Sequence, residues 1–191
     1  PNAVDEYLSL IEKYHSQKIK DKILNPVWHI HSGSPPNEKI VMPFSMLLNI
    51  VGSSNAKDKN VLWKFIKKFH KELDPKSHKI FDSLTDYAIN YFKDRVEPNK
   101  KFKNPNNEEK AALTDLVKRL KLVPQDTEPE KIQTLIYTVG KDNGYQNNLR
   151  EWFKLIYQVT FGEENGPRMG FFISFFGVKE TIDLMKKKLG M

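Results

Sequence analysis

An arginine set in a turn of glycine and proline, with two phenylalanines close behind it, is the stretch of this chain best equipped for chemistry. It reads Asn165-Gly166-Pro167-Arg168-Met169-Gly170-Phe171-Phe172. Glycine accepts backbone angles that side chains forbid and proline holds its own φ, so the turn should be tight and irregular. A guanidinium is planar and carries five donors, and flat rings stack on flat bases. Held on a pinned backbone, these groups suit the reading of unpaired RNA bases. The same pattern also fits a plain helix-to-helix loop whose phenylalanines plug the core. Local pattern leaves both readings open.

Other chemistry finds little support. An enzyme needs a nucleophile, a poised acid–base pair, a metal or a phosphate cradle. The sequence has no Gly-rich strand-to-helix loop, no P-loop and no G-x-S-x-G, so no catalytic residue is assigned. With no cysteine, disulfides and thiolate metal sites are excluded, and a reducing compartment fits. His29 and His31 invite a metal reading, but no third ligand lies at a known spacing, and no metal site is expected. The chain reads as a binding module.

The elements that must position the arginine are helical. Val4, Leu8, Ile11 and His15 share one helical face, and that helix should give way near Asn25-Pro26. His29 to Asn37 reads as a loop. A buried helix over Pro43–Val51 should exit through Gly52-Ser-Ser-Asn55. Leu62, Phe65, Ile66 and Phe69 then mark an amphipathic helix with Lys64, Lys67, Lys68 and Lys71 outward. Ile80, Leu84, Tyr87 and Tyr91 mark the next. The Pro- and Asn-rich stretch Glu97–Asn107 cannot continue a helix, and the domain division is placed there.

Beyond it, Leu113, Leu116, Val117 and Leu120 give one helix. Thr127-x-x-Glu130 has capping-box spacing and should open another through Ile132, Leu135, Ile136 and Val139. Asn143-Gly144 turns the chain. Leu149, Trp152, Phe153, Ile156 and Tyr157 form the strongest periodic face, and Val178, Ile182, Met185 and Leu189 the last. No stretch alternates convincingly with period two; Phe171–Phe176 comes nearest. The expected fold is all-α, as two helical bundles over 1–103 and 104–191.

Hydrophobic residues make up 39% and aromatic ones 12%, a globular composition. No apolar run approaches the roughly 20 residues of a membrane span, and no leader pattern opens the chain. A cytoplasmic protein without a membrane partner is expected. The chain opens on Pro1 rather than Met, as a piece of something longer would. Net charge is +7, with almost all the excess before Asn104, which suits a polyanion partner.

One family resemblance runs from about Val4 to Leu189. Asn25-Pro-Val-Trp28-His-Ile-His31-Ser-Gly33, Met42-Pro-Phe-Ser-Met-Leu-Leu-Asn49 and Ser54-Asn-Ala-Lys-Asp58 through Trp63 resemble the C-terminal region of bacterial-type class I lysyl-tRNA synthetases. So do Ile132-Gln-Thr134, Tyr137-x-Val139-Gly140-Lys141, Leu149-Arg150-x-Trp152-Phe153, Gly166-Pro-Arg168-Met-Gly170 and Phe175-Phe-Gly177. The resemblance implies a helical bundle that contacts the tRNA stem, then an α-helical-cage anticodon-binding domain. It implies lysine tRNA as partner, no DNA, and a monomer. ATP would belong to a catalytic domain absent here, since the family's HIGH-like and KMSKS-like motifs do not occur in this chain.

Residue by residue, the resemblance brings Arg168 to the anticodon bases. Of Phe171 and Phe172 one should be buried and one exposed, and Phe172 is taken as the base-facing ring. Arg150 and Lys154 are expected on anticodon-loop phosphates, and Lys100, Lys101 and Lys103 on the stem backbone. Two alternatives remain: the anticodon region of a glutamyl-type synthetase, and a helical scaffold for protein partners.

Overall fold

The first N–H groups of every helix lack partners inside the helix and must find them elsewhere. How this chain supplies them largely explains its architecture. The computed structural model describes residues 1–191, which form eleven α-helices and no strand. In order these are α1 (Asn2–Ser16), α2 (Ile19–Lys22), α3 (Pro26–Ile30), α4 (Phe44–Ser54), α5 (Lys59–Phe69) and α6 (Lys79–Tyr91). After the linker come α7 (Asn107–Leu120), α8 (Pro129–Gly140), α9 (Leu149–Thr160), α10 (Met169–Phe176) and α11 (Val178–Leu189). The all-α expectation is met. No helix is long and apolar enough to cross a membrane.

Four helices are capped by the residue just before them. Asn25 accepts from Val27 N, Asp58 from Val61 N, and Asn148 from Glu151 N. Asn106 accepts from Glu109 N at 2.9 Å while the Glu109 carboxylate takes Asn106 N at 3.0 Å, a complete capping box for α7. Four other helices are capped from a distance. The Asp5 carboxylate on α1 takes Phe44 N and Ser45 N of α4, and Glu38 takes Ile80 N and Phe81 N of α6. Gln133 on α8 accepts from Gly170 N of α10 at 2.8 Å, and Gln125 from Val178 N of α11 at 3.2 Å. Each of these bonds both satisfies a helix end and locks two elements together.

The structure corrects several expectations. The Thr127/Glu130 box does not form. Pro129, with no N–H and a helix-ready φ, becomes the first residue of α8, so Glu130 falls one place short of the box position. Phe171–Phe176 is the body of a helix, α10; it is apolar on nearly all sides and so shows no amphipathic period. The loop assigned to His29–Asn37 begins two residues later, because Pro26 opens a short helix. Gly52, Ser53 and Ser54 stay inside α4, and Asn55 ends it in the left-handed region at φ 53°.

A single cluster of buried side chains runs from Leu8 to Leu189, so the halves 1–103 and 104–191 share one core. Phe65 of α5 packs against Phe176 with ring centroids 5.0 Å apart. The His70 ring stacks on Phe175 at 3.9 Å, and its Nε2 is 2.9 Å from the Phe175 carbonyl. Between them, α10 lies hard against α8. A Cβ on Gly170 would come within 2.8 Å of Gln133 Cβ and 2.9 Å of Gln133 N, and would meet the Pro129 carbonyl as well. Gly170→Ala must therefore push two helices apart, and urea denaturation should show a loss of about 1–3 kcal/mol, the usual cost of overpacking. A neutral result would mean the contact relaxes freely.

Candidate nucleic-acid interface

A half-buried side chain of α9 ties down the turn before α10. The Tyr157 hydroxyl donates to the Pro167 carbonyl at 2.9 Å. Its ring lies so close to Gly166 that an added Cβ there would sit 2.7 Å from Tyr157 Cε1. Burial pushes the Tyr157 phenol up to about 12, with a small further rise from Tyr137. A phenol that stays neutral keeps its proton for the carbonyl. Glycine is needed at 166 because a bare backbone must lie on the ring.

Arg168 follows at the N-terminus of α10. Its side chain is 64% exposed, and its one acidic neighbour, Glu130, is 3.8 Å away and equally open to water. An ion pair of that length and exposure contributes at most about 1 kcal/mol, so the guanidinium is free to exchange partners. Glu130, released from the capping box by Pro129, is what faces it. One helical turn on from Arg168, Phe171 is 38% exposed. The arginine and a ring thus share one open face.

Phe172 does not. It is fully buried, edge-on to Phe161 at 4.9 Å and stacked on Phe176 at 5.1 Å. Of the pair, the ring expected at the bases, Phe172, is the buried one and Phe171 the open one, because the α10 stripe that holds Met169, Phe172 and Phe176 turns inward. Tyr137, 40% exposed and edge-on to Phe153 at 5.1 Å, is an open aromatic the sequence reading passed over. Its signal was there, since it stands off the Ile132–Ile136–Val139 stripe.

The cations separate into free and engaged groups. Arg150 and Lys154, one turn apart on α9, line a groove of about 430 Å³ with Tyr157 and Asn165, which reaches the Arg168 turn. Lys154 pairs with Glu164 at 3.1 Å. The linker lies along the end of α9, with Lys101 N donating to Gly162 O and Lys103 N to Gln158 O. Lys101 is exposed, whereas Lys103 pairs with Glu109. Lys100 is largely buried, 3.8 Å from Glu163 and over the Phe92 ring at 4.8 Å, so it does not present its charge at this surface. Elsewhere, His31 Nε2 is 2.7 Å from the Tyr7 hydroxyl and His29 Nε2 2.8 Å from the Ile23 carbonyl, so both rings already hold hydrogen bonds that fix the N-terminal loop.

The architecture is that of a helical module with a cationic, ring-bearing face. No protein-family model matches the chain. It is, however, 40% identical to the lysine–tRNA ligase of Rickettsia bellii over 191 residues, and 39% identical to those of Roseobacter denitrificans and Rickettsia prowazekii. Each alignment takes in 99% of this chain and 36% of the relative. The chain is thus homologous, end to end, to part of the lysine–tRNA ligases, and spans about a third of their length.

The Tyr157 clamp carries a pH signature. A tyrosine whose folded pKa lies above its ordinary 10.0 favours folding while protonated. That contribution is full below about pH 10 and disappears as pH climbs through about 12. Measured against Tyr157→Phe by denaturant unfolding, the wild type should lose relative stability across that window. A constant difference would show that the phenol titrates normally.

Proposed function

We propose that this chain is the tRNA-binding, C-terminal portion of a class I lysine–tRNA ligase, and that it reads the anticodon of lysine tRNA from the face around Arg168. The observation that carries this reading is the identity of about 40% to lysine–tRNA ligases along 99% of the chain. The geometry fits the chemistry. Anticodon bases are unstacked, so their edges accept hydrogen bonds and their faces accept rings, at roughly 1–3 kcal/mol per stacked base. In this reading Arg168 donates to a base edge from a turn that Tyr157 holds still. Phe171 supplies the stacking surface in place of Phe172.

Arg150 and Lys154 engage loop phosphates along the α9 groove, and Lys101, with Lys103 beyond it, meets the stem backbone. Lysine activation by ATP falls to the part of the relatives this chain does not span. The whole protein would work in the cytoplasm, as a monomer.

The test is a titration with lysine tRNA and with the same tRNA carrying a changed anticodon, at low and at moderate salt. A preference for the native anticodon that survives added salt is expected. Arg168→Ala should cost about 1–3 kcal/mol and blur discrimination at one anticodon position. Lys101→Gln should instead weaken all tRNAs alike and reduce the salt slope by about 1. Equal binding of both tRNAs, fading with salt, would leave only a basic surface.

A further inference from the structure

The last turns of α4, α9 and α11 meet the linker around a cleft of about 640 Å³, which shares no lining residue with the α9 groove. Five lysines line it: Lys57, Lys93, Lys100, Lys187 and Lys188. The acids beside them are Glu97 in the lining and Glu163, 3.8 Å from Lys100. Three positive charges are therefore left over. Helix C-termini attract cations, and each is equivalent to roughly −0.5 charge, so the three here offset about half of that excess. A phosphate carries about −1.5 to −2 at neutral pH, close to what remains.

Two of the lysines also lie against aromatic rings. The Lys100 side chain is only 11% exposed, set between the Phe92 and Phe102 rings. Lys188 Nζ lies 3.4 Å from the centroid of the same Phe102 ring. Burial lowers the pKa of both lysines; for Lys100 the Glu163 carboxylate opposes that shift, and repulsion from the Lys188 charge adds to it. An anion between them would relieve that repulsion. Gly52 leaves the room for this crowding, since a Cβ there would stand 3.0 Å from Lys100 Nζ. In the cleft wall the Thr160 hydroxyl is buried and has no partner in the chain. The face around Arg168 lies outside this cleft, and of the residues that line it only Lys100 was expected at RNA, on the stem backbone.

We propose that the cleft is a phosphate-binding site in which Lys100, Lys187 and Lys188 together neutralise one phosphoryl group, the ring of Phe102 holding two of the ammonium groups in position. The phosphate comes either from the backbone of a bound RNA or from a free phosphorylated small molecule, and the chemistry at the site is the same for both.

Isothermal titration with tripolyphosphate tests this. The exposed pair Lys187→Gln with Lys188→Gln should weaken binding by about tenfold or more, the scale of one lost charge-assisted contact, and Lys100→Met should do the same. A charge-matched control, Lys76→Gln with Lys79→Gln, should change it by less than about twofold. Absence of binding, or equal losses in the two double variants, overturns the site. Because the Lys187/Lys188 variant alters only exposed helix-end residues, it decides the matter even if Lys100→Met fails to fold. Adding lysine tRNA then separates the sources: displacement of tripolyphosphate assigns the phosphate to RNA backbone, and retention assigns it to a free ligand. Failure of the anticodon reading would appear as tRNA that does not discriminate, and would leave the tripolyphosphate result standing.

Discussion

Gly170 donates its backbone N–H to the Gln133 side chain in the middle of an interface with no room for a methyl group. That bond sets the distance between α8 and α10, and the placement of α10 controls much else. Its rings reach α5 through Phe176 and the α5–α6 connection through Phe175 and His70. A helix apolar on almost every side is stable only when surrounded, so its neighbours must assemble around it. The N-terminus of α10, where Arg168 stands, is thereby tied to α8 through Gln133 and to α9 through Tyr157. A side chain that binds a partner from there would benefit directly, since a contact placed on a fixed backbone loses less conformational freedom on binding.

Around that frame the charges are sorted by environment. Lys59 is held between Asp82 and Asp86, Arg119 between Asp115 and Asp142, and Lys103 beside Glu109; these pairs tie elements together. Arg168 and Arg150 remain open, near exposed rings and in a groove. The lysines of the cleft form a third class, crowded and incompletely paired. A net charge of +7 could not have distinguished these three situations, because composition counts charges without their partners.

Much of the fold was legible. The periodic faces of α7 and α11 bury every residue their spacing indicates, and those of α5 and α9 bury their centres, Leu62 and Ile66, Trp152 and Ile156, leaving Phe65, Phe69, Leu149, Phe153 and Tyr157 half-buried. The Gly-Pro-Arg turn stood out from composition. Less visible was α10, whose uniform apolarity carries no period. The capping box was assigned to Thr127 when the complete one lies at Asn106, because a proline at the first helical position moves the start of α8. Of the candidate contacts, Arg168, Arg150 and Lys101 are open, whereas Phe172 is drawn inward by the rings of Phe161 and Phe176, and Lys100 by those of Phe92 and Phe102.

The sequence by itself determined the helices and their inward faces, since a side chain's spacing along a helix depends only on its neighbours in the chain. It also determined the local caps at Asn25, Asp58, Asn106 and Asn148. Only the tertiary structure decided that Asp5, Glu38, Gln125 and Gln133 would cap helices up to 53 residues away. It alone decided which of two adjacent phenylalanines faces water, and that five lysines from four segments would face one another. Those outcomes rest on through-space distances, and spacing along the chain does not encode them.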